Sequence, residues 1–143
     1  MNWKYEAIDK LKGYEAHKAS LISIPEEIAR LESAAHSIRS ATSDGTAIAG
    51  GGNKREDMLL SNIVLREELE RQLEQAKQWV SVVDRSLGVL DADERRVLDL
   101  MYIHRQPGSI ERLCSELNIE QASVYRRRDV ALHRFTIALY GIT

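Results

Sequence analysis

SIERLCSELNIEQASVYRRRDVALHRFTIAL, residues 109–139, is the stretch on which the reading of this chain turns. Ile110, Leu113, Cys114 and Leu117 recur at helical spacing, and Asn118, a residue that tolerates left-handed backbone, closes that helix. After a turn of about three residues a second helix is predicted over roughly Gln121 to Leu139, with Val124, Ala131, Leu132 and Phe135 as its apolar face. Two short helices joined so tightly make a helix-turn-helix. Away from that core stand Ala122, Ser123, Arg126, Asp129 and His133, flanked by Tyr125 and Arg127. Small residues at a helix start let the backbone approach a groove closely. The arginine fork can then reach guanine edges or phosphates.

Working outward, Asp91 and Glu94 are spaced as a capping box before ERRVLDLMYIHR, so a third short helix opens the C-terminal part. Pro107-Gly108 reads as a turn, and Ser109 as the cap of the helix that follows. Further upstream, Trp3, Ala7, Lys10, Tyr14, His17, Leu21, Ile24, Ile28, Leu31, Ala35 and Ile38 step by four and three, with Lys10 and His17 as the polar flaws of the seam. Pro25 removes a backbone bond and disfavours helix at Ile24, which predicts a kink or two abutting helices. Leu69, Leu73, Ala76, Val80, Val83, Leu87 and Leu90 form a second seam without a fault. Trp79 lies beside it, positioned to cover its edge or a dimer contact. Between the seams, residues 39–53 are rich in Gly, Ser, Thr and Ala and read as a loop, with Asn53 and Glu56 capping the second long helix.

The predicted fold is therefore all-α. A long antiparallel helical hairpin (1–89, loop 39–53) serves oligomerisation or partner binding, and a three-helix helix-turn-helix domain follows (90–143). The seams can close within one chain or between two, and a hairpin that pairs with its copy to give a homodimer satisfies both.

Composition narrows the function. The 143 residues are 43% hydrophobic and 29% charged, an ordinary globular balance. No apolar run is long enough to span a membrane, and the N-terminus shows no signal-peptide pattern. A single cysteine, Cys114, suits a reducing compartment and a core position, so a cytoplasmic location is expected. The net charge of −2 hides an asymmetry: residues 121–143 carry four arginines against Asp129, or +3, which leaves −5 for the remainder. That basic segment suits an anionic partner. The four histidines lack ligand spacing, and no nucleophile or carboxylate pair converges, so neither metal, cofactor nor enzymatic activity is expected. Gly50-Gly51-Gly52 is followed by Asn-Lys-Arg and not by Gly-Lys-Ser/Thr, and so reads as a hinge and not a phosphate loop.

Leu90-Asp91-Ala92-Asp93-Glu94-Arg95-Arg96-Val97-Leu98-Asp99-Leu100-Met101-Tyr102 resembles the opening of region four of bacterial RNA polymerase sigma factors, L-x-x-x-E-R-x-V-L-x-L-x-Y. Residues 110–119 look like the first helix of that region's helix-turn-helix. Ser123-Val124-Tyr125-Arg126-Arg127 with Ala131-Leu132 and Phe135 looks like its recognition helix. The likeness covers residues 90 to about 139. The whole, with its N-terminal hairpin and its loop from Ile38 to Asp57, is similar to short sigma-like regulators of phages and prophages. That resemblance implies a DNA-binding transcriptional regulator, phage or prophage encoded, acting at promoters. Region four usually has Leu or Ile where this chain has Arg127 and Arg128. Arg128 falls on the core-facing stripe, so it is expected to snorkel, or to reach Glu111, Glu116 or a phosphate.

In this reading the partner is double-stranded DNA. Ser123 and Arg126 read base edges, Gln121, Tyr125, Arg127 and Arg128 hold phosphates, and Arg95 or Arg96 adds a backbone contact. Two alternatives share the same features: a module docking on RNA polymerase or another regulator, and a DNA-recognising phage packaging component.

Overall fold

The 4–3 spacing of apolar residues becomes two long helices, and the punctuated C-terminal third becomes three short ones. The computed structural model describes residues 1–43 and 51–143. Helices α1 (Trp3–Ser43) and α2 (Gly51–Leu87) precede α3 (Ala92–Leu98), which runs directly into one π-helical turn, Asp99–Ile103. Helices α4 (Ser109–Leu117) and α5 (Gln121–Tyr140) complete the chain. Among the described residues there is no strand, and the fold is all-α. No helix among them is long and apolar enough to cross a membrane.

Packing divides the chain into Met1–Lys18 with Gln78–Thr143, and Ala19–Lys77. The division runs across both long helices. In the first unit Ala7, Leu11 and Tyr14 of α1 and Val80 and Val83 of α2 are buried. The polar flaws of the first seam have a reason. Trp79 lays its indole over α1, where Nε1–H donates to the Lys10 carbonyl at 2.9 Å. The Lys10 ammonium sits 4.2 Å from the ring centre and the His17 ring 4.2 Å away, centroid to centroid. Gly13 lets that ring approach: a Cβ there would stand 2.9 Å from Trp79 Cζ2. Tyr14 donates its hydroxyl to Asp84 Oδ1 at 2.5 Å. Burial, helped by that carboxylate, pushes its pKa up to about 12.

In the second unit Leu31 and Ala35 are buried, and Leu59, Ile63, Leu69 and Leu73 are half-buried. Asn62 is buried in this apolar seam. Its amide donates to the Leu31 carbonyl at 2.8 Å and its oxygen accepts from Arg66 Nε at 2.8 Å. A polar side chain with one specific partner across a seam fixes register, because a slip would leave it buried and unsatisfied.

Four expectations are corrected here. Pro25 neither breaks nor divides α1, which is continuous from Trp3 to Ser43. The proline removes the bond its own N–H would make to the Leu21 carbonyl, and the helix continues on either side of it. The loop is shorter than 39–53, because α1 extends to Ser43 and α2 begins at Gly51; what remains of it, residues 44–50, lies outside the described residues. Asn53 is consequently the third residue of α2 and not its cap, so the Asn53/Glu56 box does not form. Ser109 is not a cap either. Gly108, at φ 85°, takes that place, and Ser109 Oγ accepts from the Gln106 N–H at 2.9 Å. With Ser109 N–H bonded to the Gln106 carbonyl, Gln106–Ser109 is a turn of type II, whose third residue needs positive φ. The π-helical turn had no signal in the sequence.

Candidate nucleic-acid interface

The helix-turn-helix forms around Val97, Leu100, Met101, Leu113 and Val124, with Ile110, Cys114, Leu117, Ile119 and Tyr125 packed on the rim. The Asp91/Glu94 capping box is complete: Asp91 Oδ1 accepts from the Glu94 N–H at 2.8 Å, and Glu94 Oε1 accepts from the Asp91 N–H at 3.1 Å. Asn118 ends α4 at φ 55° and ψ 50°, and residues 118–120 make the three-residue turn. Both features follow the sequence. Helix α5 packs chiefly on α3 and buries Val124, Ala131, Leu132, Phe135 and Thr136. Its far end is tied to the start of α1 by Trp3 against Tyr140, ring centres 5.0 Å apart.

The opposite face of α5 meets solvent. Gln121, Ala122, Arg126, Arg127, Asp129 and His133 are exposed, and Ser123, Tyr125 and Arg128 are half-buried. Arg126 donates to Ser123 Oγ at 3.0 Å, so the two residues expected to read bases already touch. Arg127 donates to Asp93 of α3 at 3.1 Å. Arg128 binds Asp129 Oδ1 through Nε and Nη2 at 3.0 and 2.9 Å, with its guanidinium carbon 5.1 Å from the Tyr125 ring centre. It therefore snorkels along its own helix and does not reach Glu111 or Glu116, because the adjacent carboxylate and aromatic face are nearer partners.

The expected backbone-contacting arginines of α3 differ from each other. Arg96 is committed inside the domain, where it grips Glu116 of α4 through Nε and Nη2 at 2.8 and 2.9 Å and Asp99 through Nη1 at 2.9 Å. Arg112 adds a further bond to Glu116 at 3.0 Å. The Arg96 guanidinium, first among these neighbours, holds the Glu116 carboxyl down at about 2. Arg95 is exposed and bonds the Leu90 carbonyl at 2.9 Å. The expected site residues are thus brought together on α5, with Arg95 and Arg96 on the neighbouring α3.

Sequence reasoning missed the acidic half of this surface. Glu94 is buried and pairs with Arg134, which also donates to the Val89 carbonyl at 3.1 Å. Asp93 holds Arg127. Neither pairing follows a local spacing, since the partners are 40 and 34 residues apart and meet only when α5 packs on α3. His104 was likewise unassigned: directly after the π-helical turn it bonds Asp99 through Nδ1 and lies 3.2 Å from Glu15 of α1 through Nε2. The Asp99 carboxylate holds its pKa above the ordinary histidine value. Among the described residues, no group of three histidine, cysteine or acidic side chains is placed to hold a metal ion.

Compared with known proteins, residues 37–136 match a family described as "Protein of unknown function (DUF1492)". No curated protein and no solved structure matches the chain.

Proposed function

We propose that this chain, which belongs to the DUF1492 family, is a DNA-binding transcriptional regulator of the sigma-like kind, engaging promoter DNA with the exposed face of α5. The observation that carries the reading is the form of that face. A three-residue turn opened by left-handed Asn118 leads into the N-terminal half of α5, with Ala122 and Ser123 at its start and Arg126 exposed one turn on. Small residues permit close approach of the helix to a major groove. Arg126, already oriented by Ser123, reaches base edges. Gln121 and Arg127 lie beside it for phosphates, and Arg95 adds a backbone contact from α3. Arg96, held by Glu116 and Asp99, contributes by keeping α3 on α4 and needs no DNA contact for that role. Phage or prophage origin follows from the sequence resemblance.

Selection of bound sequences from a random duplex library at about 150 mM salt tests the reading. A motif is expected to emerge, as a single half-site for a monomer or as paired half-sites for a dimer. A sequenced pool indistinguishable from the input overturns it.

A further inference from the structure

Arg127 is exposed but already occupied. Its Nη1 donates across 3.1 Å to Asp93, in the first turn of α3, with side-chain exposures of 44% and 58%. A pair so open to water adds little to stability. The other two carboxylates beside it have structural duties: Asp91 caps α3, and buried Glu94 completes that cap and holds Arg134. Among the described residues, the Asp93 carboxylate bonds only Arg127. The three acids and Arg126, Arg127 and Arg134 line one cleft between α3 and α5. Among the described residues, Arg126 bonds the neutral Ser123 hydroxyl alone.

To a guanidinium, a carboxylate and a phosphate oxygen are equivalent acceptors. We propose that Asp93 is an affinity-setting residue of the α5 interface, occupying Arg127 in the place a DNA phosphate would take. The inference rests on the DNA-binding reading and adds a residue to it. For Nη1 of Arg127 to turn to a phosphate it must leave Asp93, whose freed carboxylate then gathers a cation. The counterion released from DNA is offset by the cation taken up, so Arg127 adds less than a full charge to the salt dependence. Phosphate contacts are blind to sequence, so the effect falls on all duplexes alike.

The experiment is fluorescence-anisotropy titration of a random-sequence 20-bp duplex, at several salt concentrations, with the wild-type chain, Asp93→Asn, Arg127→Ala and the double variant. Asp93→Ser is run beside them so that the result does not hang on one side chain, and thermal melting checks that each variant folds. Asp93→Asn is expected to bind about two- to fivefold tighter, the size of an exposed ion pair released, with a salt slope steeper by up to about one. In the Arg127→Ala background that gain should shrink. Unchanged binding by both Asp93 variants overturns the inference, and so does a gain undiminished when Arg127 is absent, which would mark simple charge repulsion. A wild-type chain that binds no duplex overturns the DNA-binding reading itself and this inference with it.

Discussion

Replacing Gly13 by alanine tests the packing of the long helices, because two physical effects oppose each other there. Glycine inside a helix is worse than alanine by about 1 kcal/mol, so on propensity alone Gly13→Ala stabilises. The structure argues the reverse. The new Cβ would stand 2.9 Å from Trp79 Cζ2, 3.4 Å from Cε2 and 3.5 Å from His17 Cδ2. Ordinary contact begins near the second of these distances, so the indole would have to retreat by about half an ångström, as in other overpacked sites. The ring is not free to do so. Its N–H is bonded to the Lys10 carbonyl, worth about 1 kcal/mol, and the Lys10 ammonium over its face adds about 0.5–1 kcal/mol. Overpacking strain costs about 1–3 kcal/mol more. Subtracting the propensity gain leaves a net loss of about 1.5–4 kcal/mol, which at this chain length lowers Tm by about 2–4 °C for each kcal/mol. Urea unfolding followed by tryptophan fluorescence, with thermal melting beside it, measures the change. A variant more stable than wild type, by the propensity increment, would refute the account of Trp79.

Three further predictions follow from the C-terminal domain. Because the Arg96 guanidinium holds the Glu116 carboxyl at about 2, below its value in the unfolded chain, the pairing stabilises above the unfolded pKa near 4.3 and is lost as pH falls from there towards 2. Melting temperatures across that window should fall less steeply for Glu116→Gln than for wild type, and parallel curves would count against the network. His104 has the opposite sign: with its pKa raised by Asp99, its contribution is complete below about 6.5 and is lost as pH rises above that value. NMR titration should place its midpoint above that of a free histidine, and His104→Gln should bring it no stabilising partner on acidification; a midpoint at or below the free value sinks the assignment. Asp91→Ala removes the acceptor for the Glu94 N–H and should cost about 1 kcal/mol in chemical denaturation, whereas no loss would mean the α3 cap is dispensable.

Much of the fold could be read from local pattern. The two heptad seams, the Asp91/Glu94 box and the left-handed Asn118 are all written in spacings of a few residues, and they appear as expected. Errors came where local preference was outweighed. Pro25 disfavours helix at Ile24, yet a helix of this length loses one bond and continues. Ser109 is a good cap by type, but Gly108 adopts the positive φ that the proline turn requires and leaves the serine to bond Gln106. Leu11 lies outside the 4–3 seam and is nevertheless fully buried. The exposed face of α5 was legible because its arginines are consecutive in sequence. What answers them was not, since Asp93, Glu94 and Glu116 meet their arginines only through tertiary packing.

That exposed face carries the central claim, and Arg126 is the residue on which it is most directly tested. The measurement is the affinity of the wild-type chain and of Arg126→Ala for a selected duplex and for a random one, at matched salt. A bidentate arginine–guanine contact contributes about 1–3 kcal/mol of discrimination, so the variant should lose about 5- to 150-fold on the selected duplex and far less on the random one. Equal losses on both, or a wild-type chain that does not distinguish the two, would contradict the assignment of α5 as a reader of DNA sequence.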